Sequence, residues 1–268
     1  MKENEYKLIA HRLGYKMTQS KENSLDSLKE IFKNEEFLNI CNGFELDINF
    51  TKDNIPVVMH DKKLKNKMKI KKLYYKELHD IDTLESILVF LLNNKVKLGD
   101  KKIKIETKSC LWRSRKNIKV FINLLNKYSS LNKNIIHLSS HPINLIISKN
   151  YNTCIETDIL CYFKSIYYIY NFLFKNDYVS LRMSFKDKLD NENMISYMVN
   201  YITKGSVSNK IIYSSNKNYK NINIFLINNT TQLNEFHNKY GKYVKNKDIY
   251  ITTSYPNNIK NRLNLIAF

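Results

Sequence analysis

Residues 43–61 read GFELDINFTKDNIPVVMHD, and the rest of the chain is arranged around this stretch. Its first eight residues alternate apolar and polar side chains, which is the period of a β-strand and places Glu45 and Asp47 on one face. Two neighbouring carboxylates repel each other, and a fold tolerates them where a cation lies between them or where a shifted pKa is needed. A turn and a short apolar strand at residues 52–59 then lead to the pair His60-Asp61. The stretch predicts a metal site and a catalytic base; the alternative is an edge hairpin with a solvated acidic face and a core histidine.

The rest of the chain repeats the unit of a strand followed by a helix. Strands are predicted at residues 7–12, 43–50, 103–108, 135–138, 152–157, 178–183, 222–228 and 248–253. Helices are predicted at residues 25–37, 83–93, 114–128, from Pro142 onwards, and at residues 162–174, 191–203 and 232–240. The 268 residues contain 5 Gly and 3 Pro, which leaves little material for a flexible linker. The prediction is one α/β domain over residues 1–268, a closed (β/α)₈ or TIM barrel.

Polar side chains fall at or near the carboxyl ends of the predicted strands, where barrels of this class keep their active sites. They are His11, Arg12, Glu45, Asp47, Glu106, Lys108, Ser139, His141 and Thr253. Three of them, Glu45, Asp47 and Glu106, offer carboxylates to a hard divalent cation such as Mg²⁺ or Ca²⁺. We therefore predict one divalent cation, bound by these three residues.

Two histidines and two cations complete the candidate site. His11 and His60 are candidates for a general acid and a general base. Arg12 and Lys108 supply positive charge for an anionic oxygen. A metal ion, two proton carriers and two cationic side chains together indicate phosphoryl chemistry.

With these candidate residues in this order, the sequence resembles the glycerophosphodiester phosphodiesterase family. The motifs that carry the resemblance are Ala10-His11-Arg12, Glu22-Asn23-Ser24-Leu25, Gly43-Phe44-Glu45-Leu46-Asp47-Ile48, Thr51-Lys52-Asp53 with Pro56-Val57-Val58, His60-Asp61 with Leu64, Ile105-Glu106-Thr107-Lys108, Ser139-Ser140 and Thr252-Thr253-Ser254-Tyr255-Pro256. The similarity spans nearly the whole chain and is strongest over residues 8–108. It implies a TIM barrel that hydrolyses a phosphodiester to an alcohol and a phosphomonoester with one divalent metal.

The resemblance also implies a role for individual residues. By position, Glu45, Asp47 and Glu106 are similar to the metal ligands of the family, and His11 and His60 to its acid–base pair. Arg12 is similar to a phosphate contact, and Lys108 and Glu22 to further groups around the substrate. From its place near the end of the sixth strand, Arg182 is a candidate for binding a second anionic group; the alternative is an exposed arginine at a loop edge.

Three departures from the family pattern concern the alcohol part of the substrate. The His-Arg-Gly of the family reads His11-Arg12-Leu13-Gly14 here, and its Trp-Thr-Val-Asn on the seventh strand reads Phe225-Leu226-Ile227-Asn228. The residue after the Ser-Ser pair is His141 where the family commonly has Phe. All three lie where the alcohol would rest, so they bear on its identity and not on phosphodiester cleavage.

The charge of the chain favours anionic partners. Forty-four Lys and Arg against 25 Asp and Glu give a formal net charge of +19. The lysines are scattered and not interleaved with aromatic residues in one patch, so nucleic acid is not the expected partner. The densest basic run is residues 62–72, KKLKNKMKIKK, which is either a solvated loop or a segment attracted to an anionic surface.

The cysteines and the apolar segments indicate the compartment. The four cysteines, Cys41, Cys110, Cys154 and Cys161, have no paired spacing and read as reduced core thiols of an intracellular protein. Residues 1–10 do not form a secretory signal, and the apolar runs near residues 87–92 and 166–174 are too short or too polar to cross a bilayer. We therefore expect a cytoplasmic protein without a transmembrane segment.

Three functions remain open at this point. The first is a metal-dependent phosphodiesterase that acts on soluble glycerophosphodiesters or on a related small anionic diester. The second is a related barrel enzyme, of phospholipase D type or acting on a polymer diester, that cleaves a lipid or an anionic polymer. The third is a non-catalytic anion-binding barrel; the intact set of two histidines and three carboxylates argues against it.

Overall fold

The structure is a computed structural model, and it describes residues 6–109, 111, 114–150, 155–161, 177–182, 221–240 and 248–266. Within these residues the strands are β1 (Tyr6–Ala10), β2 (Gly43–Phe50), β3 (Pro56–Val58), β4 (Lys102–Thr107), β5 (Ile135–Ser139), β6 (Glu156–Cys161), β7 (Tyr178–Arg182), β8 (Asn221–Phe225) and β9 (Asp248–Thr253). The α-helices are α1 (Leu25–Lys33), α2 (Glu35–Ile40), α3 (Leu84–Asn93), α4 (Lys95–Leu98), α5 (Arg115–Lys127), α6 (Pro142–Asn150), α7 (Thr230–Tyr240) and α8 (Pro256–Ile266). Segments of 3₁₀ helix lie at His11–Met17, where a kink interrupts the helix, and at Ile70–Lys72, Tyr75–Glu77 and Ser129–Leu131.

The strands close into a barrel. The order in the sheet is β1-β9-β8-β7-β6-β5-β4-β2-β3, and β1 also pairs with β2. Apart from β3, which runs antiparallel to the end of β2, every pairing among the described strands is parallel. Eight parallel strands in a closed ring confirm the predicted (β/α)₈ barrel.

Gly43 allows the strands to meet where the ring closes. It is the first residue of β2, which lies between β1 and β4. A Cβ at this position would overlap the carbonyl oxygen of Lys102 and the side chain of Ile9. Glycine is therefore required here by close approach of the strands and not by an unusual φ.

The helices pack around the barrel and bury their apolar faces against the outward side chains of the strands. The α1 helix is capped by Ser24, whose Oγ accepts a hydrogen bond from the backbone N–H of Ser27 at 3.2 Å. The predicted helix over residues 25–37 is in fact two helices. Asn34 ends α1 and caps α2, since its Oδ1 accepts from the backbone N–H of Phe37 at 3.2 Å. An Asn side chain competes well for such backbone donors, so the helix breaks there.

The middle of the barrel holds a buried ion pair. Lys104 Nζ lies 2.7 Å from Asp158 Oδ2, and both side chains are fully buried. The ammonium also lies 5.3 Å from the ring centroid of Tyr178 and 5.7 Å from that of Tyr250. A barrel interior is normally filled by branched apolar side chains. Here a charged pair and two aromatic rings fill it in part, directly below Glu106, which follows Lys104 on the same face of β4.

Two predicted strands differ in their bounds for physical reasons. The first strand ends at Ala10 and not at residue 12, because φ turns positive at Arg12 (49°) and Leu13 (58°). The fifth predicted strand, residues 152–157, lies instead at Glu156–Cys161. Its inward positions carry Glu156 and Asp158, which are paired with lysines of β4, so the apolar pattern did not mark the strand.

Other predictions agree with the structure or fall outside the residues it describes. The helix predicted at residues 232–240 is Thr230–Tyr240, whereas the seventh predicted strand, residues 222–228, ends three residues earlier, at Phe225. The helices predicted at residues 162–174 and 191–203 lie outside the described residues. Cys41 is a buried free thiol, as expected. Among the described helices, none combines the length and the apolar character that crossing a bilayer requires.

Candidate active site

Three carboxylates converge from two neighbouring strands, near the level at which β1 ends. Glu45 and Asp47 lie on β2, and Glu106 lies on β4 opposite Asp47 in the strand register. One oxygen from each of the three lies within 4.8 Å of the others. All three side chains are buried. The alternation along β2 and the parallel pairing with β4 are sufficient to bring them to one point.

The electrostatics of this cluster favour a bound cation. Burial, followed by repulsion from Asp47 and Glu106, raises the pKa of Glu45 well above its usual value. Burial raises the pKa of Glu106 as well. Glu45 Oε1 and Glu106 Oε2 are buried and accept no hydrogen bond within the described part of the chain. Buried carboxylate oxygens without a partner, drawn from three acidic side chains, are the donor set that a hard divalent cation takes.

Lys108 supplies part of the compensating charge. Its Nζ lies 2.7 Å from Glu106 Oε1 and 3.0 Å from Asp47 Oδ1. Burial would raise the pKa of Asp47, but the ammonium of Lys108 and the amide of Asn23 lower it overall. The two partners also raise the pKa of Lys108 against the opposing effect of burial. Lys108 therefore contacts the carboxylates directly, whereas the resemblance implied a contact with the substrate.

Asn23 orients Asp47, and the sequence analysis gave it no role. Its Nδ2 donates to Asp47 Oδ2 at 2.9 Å, and its Oδ1 accepts from the Asp47 backbone N–H at 3.1 Å. It is buried, and its φ of 54° lies in the left-handed region that Asn tolerates better than most residues. The signal was present in the motif Glu22-Asn23-Ser24-Leu25, of which only Glu22 received a role.

His11 lies beside the carboxylates at the end of β1. Its Nε2 is 3.8 Å from Glu45 Oε2, and its Nδ1 is hydrogen-bonded to Ser254 Oγ at 3.0 Å. The ring of Phe225 packs edge-on against the imidazole, with the centroids 5.3 Å apart. Burial, followed by the charge of Arg12, lowers the pKa of His11 to about 3, so the imidazole is neutral in the absence of a cation. Ser254 is a second contact that the sequence analysis missed, because it lies 243 residues away along the chain.

His60 lies at the edge of the site and is more exposed than His11. Its Nδ1 is 2.8 Å from Asp61 Oδ1, and since an ionised carboxylate only accepts, Nδ1 is the donor. The backbone of this segment is held by Asn49, whose Nδ2 donates to the carbonyl oxygens of Met59 and Asp61. The charged form of His60 is close enough to lower the pKa of Asp47 and of Glu106, although burial is the larger effect on both. The structure thus brings His60 to the same site as the carboxylates.

Arg12 crosses the mouth of the site. Its Nη1 donates to both carboxylate oxygens of Glu22, at 2.8 and 2.7 Å, and its Nε lies 3.6 Å from Asp47 Oδ2. The left-handed turn at Arg12, Leu13 and Gly14 also points the backbone N–H of Arg12 at Glu45 Oε2, 3.0 Å away. Arg12 Nε is buried and makes no hydrogen bond within the described residues. Arg12 therefore lies next to Glu45 and Asp47, and Glu22 contacts its guanidinium from the other side.

Arg182 and His141 are two further candidate residues, which lie at or just after the ends of β7 and β5. Arg182 is the last residue of β7, at the carboxyl end of the barrel, but its side chain lies outside the part of the chain that the structure describes. His141 follows β5, and its backbone N–H donates to Ser139 Oγ at 3.0 Å. Ser139 Oγ also accepts from Asn144 Nδ2 at 3.1 Å, so this hydroxyl fixes the turn after β5. Ser139 thus acts on the backbone of the turn.

A family model matches most of the chain. Its description is "Glycerophosphoryl diester phosphodiesterase family", and the match covers residues 11–237, from His11 to the middle of α7. Among curated proteins, no sequence matches this chain.

Solved structures of similar fold come from several bacteria. A glycerophosphodiester phosphodiesterase from Parabacteroides distasonis has a TM-score of 0.74 at 19% identity, with 100% of each chain covered. A phosphodiesterase from Oleispira antarctica, solved in complex with the product sn-glycerol-3-phosphate, has a TM-score of 0.68 at 17% identity, with 98% of this chain and 97% of the other covered. A glycerophosphodiester phosphodiesterase from Thermotoga maritima has a TM-score of 0.63 at 18% identity, with 100% of each chain covered. At these identities the structural likeness supports the fold alone.

Proposed function

Because the chain belongs to the glycerophosphoryl diester phosphodiesterase family, we propose that it hydrolyses a glycerophosphodiester to an alcohol and glycerol phosphate. The observation that carries this proposal is the convergence of three buried carboxylates with two histidines at the carboxyl end of the barrel. The complex of the Oleispira antarctica phosphodiesterase with sn-glycerol-3-phosphate supports a small diester as the substrate. A cytoplasmic location, favoured by the free thiol of Cys41, is part of the proposal.

The cation site would consist of Glu45, Asp47 and Glu106, and we propose Mg²⁺ or Ca²⁺ as the ion. These are hard cations that prefer oxygen ligands, and the three side chains provide only oxygen. The bound ion supplies positive charge that polarises the phosphodiester. Asn23 holds Asp47 in place from one side, and Lys108 holds Asp47 and Glu106 from the other.

His11 and His60 would move the two protons of the reaction. A new bond forms between phosphorus and the attacking oxygen, which loses a proton, and the bond to the leaving alcohol oxygen breaks as that oxygen gains one. One imidazole takes the first proton, and the other gives the second. Ser254 engages Nδ1 of His11 and Asp61 engages Nδ1 of His60, which would leave the Nε2 of each ring for this task.

Arg12 would bind the phosphate. Its Nε makes no hydrogen bond within the described residues and lies 3.6 Å from Asp47 Oδ2, so it would be a donor for a phosphate oxygen held beside that carboxylate. Glu22 holds the other end of the guanidinium and thereby sets its orientation. Lys108 adds positive charge beneath the phosphate. Arg182 stays a proposed contact for an anionic group on the alcohol side, as glycerophosphoglycerol would provide.

Hydrolysis of glycerophosphocholine tests the two histidines. We expect His11→Ala and His60→Ala each to lower kcat about 10²–10⁴-fold, because a positioned proton carrier contributes a factor of that size. The measurement is the release of choline and glycerol phosphate in the presence of Mg²⁺ or Ca²⁺. His79→Ala, a change at an exposed histidine, serves as the matched control and should keep the wild-type rate.

The same assay separates catalysis from a structural role. If both variants show a lowered Tm but a nearly normal rate per folded molecule, the two histidines are core residues and the proposed chemistry is wrong. Full activity after treatment with EDTA and exhaustive dialysis would remove the cation from the mechanism.

A further inference from the structure

Residues 62–72, which we call the basic hairpin, are not used by the proposed reaction. They contain seven lysines in eleven positions, and the next acidic residue along the chain is Glu77. All seven lysine side chains are exposed. The segment follows His60-Asp61 directly, so its position relative to the active site is fixed by only a few residues of chain.

The basic hairpin is anchored to the barrel by its own apolar residues. Ile70 is buried in a small cluster with Val57 and Leu73, and the backbone N–H of Lys52 donates to the carbonyl oxygen of Leu73 at 2.8 Å. An antiparallel bridge joins Lys63 to Lys69. With the buried side held in this way, the lysines and Met68 are displayed on the outer side as a fixed surface.

Among the residues that the structure describes, no acidic side chain compensates the charge of this surface. None of the seven lysines forms an ion pair with another residue in the described ranges. Lysines elsewhere on the surface do have acidic partners, for example Lys29 with Asp26 at 3.1 Å and Lys133 with Asp100 at 3.1 Å. An uncompensated group of seven positive charges attracts an anionic surface.

Apolar side chains accompany the lysines. Met68 lies in the hairpin turn with 47% of its surface exposed. Tyr74 is 41% exposed, with Lys52 Nζ 4.4 Å and Lys76 Nζ 6.0 Å from its ring centroid. Apolar and aromatic groups between lysines are suited to the boundary of a bilayer, where the headgroups are anionic and the layer beneath is apolar. The basic hairpin has no arginine, the residue that most often reads nucleic acid.

The basic hairpin lies at the catalytic end of the barrel. The β3 strand pairs antiparallel with residues 48–50 at the carboxyl end of β2, and the hairpin continues from β3. The opposite end is marked by α4, which precedes the first residue of β4 and carries Val96, 97% exposed. A surface that contacts the hairpin would therefore also lie near the mouth of the site.

We propose that the basic hairpin binds the surface of an anionic phospholipid bilayer, with its lysines at the level of the headgroups and Met68 in the interface. The inference does not depend on the proposed hydrolase activity, because it rests on charge, exposure and anchoring alone. Each lysine close to an anionic bilayer contributes about 1 kcal/mol of attraction, and clusters of about four to eight basic residues next to a membrane are typical of binding to anionic lipids.

Sedimentation with vesicles tests the proposal. We expect the wild-type chain to bind vesicles of phosphatidylglycerol and phosphatidylcholine, to bind pure phosphatidylcholine far less, and to be released by added salt. Changing Lys63, Lys65, Lys69 and Lys71 together to Gln should weaken binding more than about tenfold. The matched control changes four exposed lysines on helices, Lys33, Lys116, Lys119 and Lys260, to Gln, and should bind nearly as well as the wild type.

Several outcomes would overturn the proposal. Wild-type protein that stays in solution with anionic vesicles contradicts it, as does equal loss of binding in both quadruple variants, which would indicate attraction by net charge alone. Binding to RNA at the same salt concentration without binding to vesicles would assign the surface to a different partner. Thermal unfolding of both variants shows whether they are folded, and we expect no loss because the changed side chains are exposed.

Tryptophan fluorescence tests the orientation on the bilayer. In Met68→Trp, the emission of the new indole should shift to shorter wavelength on anionic vesicles, because the side chain enters a less polar layer. Val96→Trp, at the opposite end of the barrel, should show no shift under the same conditions. The native protein has one Trp, so its spectrum with and without vesicles provides the background. A shift at position 96 but not at position 68 would contradict the proposed docking.

Discussion

Glu45 is fully buried between two other carboxylates, and one of its oxygens has no hydrogen bond within the described residues. Such a group is destabilising unless it takes a proton or binds a cation. The raised pKa of Glu45 means that this carboxylate takes up a proton readily, which applies when no ion is bound. For the working protein we propose that Glu45 binds a cation instead, since the proposed hydrolysis needs positive charge at this point.

Cation binding should therefore be visible as a change in stability. At a free Mg²⁺ or Ca²⁺ concentration about 100-fold above Kd, the folded state gains about 2.7 kcal/mol, and Tm rises by several degrees. Glu45→Gln should abolish the rise, because it removes one of the three anionic ligands. The measurement is thermal unfolding with added cation and again after EDTA. Glu36→Gln, an exposed glutamate on α2, is the control; equal shifts in both variants would contradict the assignment.

Asn23 is predicted to act on the reaction through Asp47. Removing a residue that orients a metal ligand typically lowers metal affinity or activity about 10–100-fold. Asn23→Gly is the suitable change, because glycine adopts the φ of 54° without steric cost while losing both hydrogen bonds to Asp47. We expect a loss of about that size in the cation affinity measured by calorimetry and in kcat.

The control for Asn23 is the same substitution at the same backbone conformation. Asn54 lies in the turn between β2 and β3 with a φ of 66°, and Asn54→Gly should leave cation affinity and kcat unchanged. If the two glycine variants behave alike, Asn23 is a turn residue and does not position Asp47.

At the scale of secondary structure elements, His137 joins two strands to a helix. It lies on β5, and its Nε2 is 3.0 Å from Thr107 Oγ1 on β4. Its Nδ1 is hydrogen-bonded to Ser148 Oγ on α6. The ring also packs against that of Phe121 on α5, with the centroids 4.9 Å apart. Burial lowers the pKa of His137 to about 3, so this contact requires a neutral imidazole.

The stability of the fold should depend on pH through His137. In the unfolded chain the pKa is about 6.5, so below that pH the unfolded state binds a proton that the folded state does not. Above pH 6.5 the imidazole is neutral in both states and contributes nothing to the pH dependence. Between pH 6.5 and about 3 only the unfolded chain is protonated at His137, which lowers the free energy of unfolding by about 1.4 kcal/mol per pH unit. The free energy of unfolding, measured with urea, should therefore fall between pH 7.5 and pH 5 by about 2 kcal/mol more in the wild type than in His137→Gln.

A difference between variants isolates this residue, since other groups titrate equally in both proteins. The exposed His79 provides the control, and His79→Gln should keep the wild-type dependence on pH. If His137→Gln also keeps it, the imidazole is accessible to protons in the folded state, contrary to its complete burial.

The sequence predicted those elements whose pattern is local. The alternation along residues 43–50 gave both the strand and the shared face of Glu45 and Asp47, because a side-chain period of two depends only on neighbouring residues. The sequence pattern did not predict the bounds of β6, where Glu156 and Asp158 face inward. Charges are accepted at those positions only because lysines of β4 meet them, and such a pairing depends on the whole barrel.

The difference between local patterns and contacts that depend on the whole barrel also explains which parts of the candidate site were predicted. The carboxylates and histidines were predicted because each lies beside a strand end that is readable locally, and the order of the strands then brings those ends together. Ser254 was not predicted as a partner of His11, because the contact exists only when β9 closes the ring beside β1. Asn23 belongs to a motif that the sequence analysis quoted, but its contact with Asp47 was not predicted, because that contact depends on how the turn before α1 packs against β2.

At the scale of the whole molecule, a chain of polar side chains spans half the barrel interior. Asp158 Oδ2 accepts from Lys104 Nζ on β4 at 2.7 Å and from Ser180 Oγ on β7 at 2.7 Å. Asn223 on β8 donates to Ser180 Oγ at 2.7 Å and accepts from Thr252 Oγ1 on β9 at 3.0 Å. Because each residue is buried, each bond fixes one strand relative to another, and the chain specifies how the ring closes.

The ion pair at the head of this chain should show strong coupling in a double-mutant cycle. Lys104→Met leaves a buried carboxylate without its cation, and Asp158→Asn leaves a buried ammonium without its anion; each should lower the free energy of unfolding by about 3–5 kcal/mol. The double variant contains neither charge, so its loss should be much smaller than the sum of the two. The matched control is the surface pair Lys133 and Asp100, with side-chain exposures of 63% and 96%, where Lys133→Met and Asp100→Asn should couple by less than about 1 kcal/mol. Urea unfolding of all six variants gives both coupling energies. Additive losses at Lys104 and Asp158 would mean that the two charges are solvated independently, and the polar interior could not then be what holds β4 against β6 through β9.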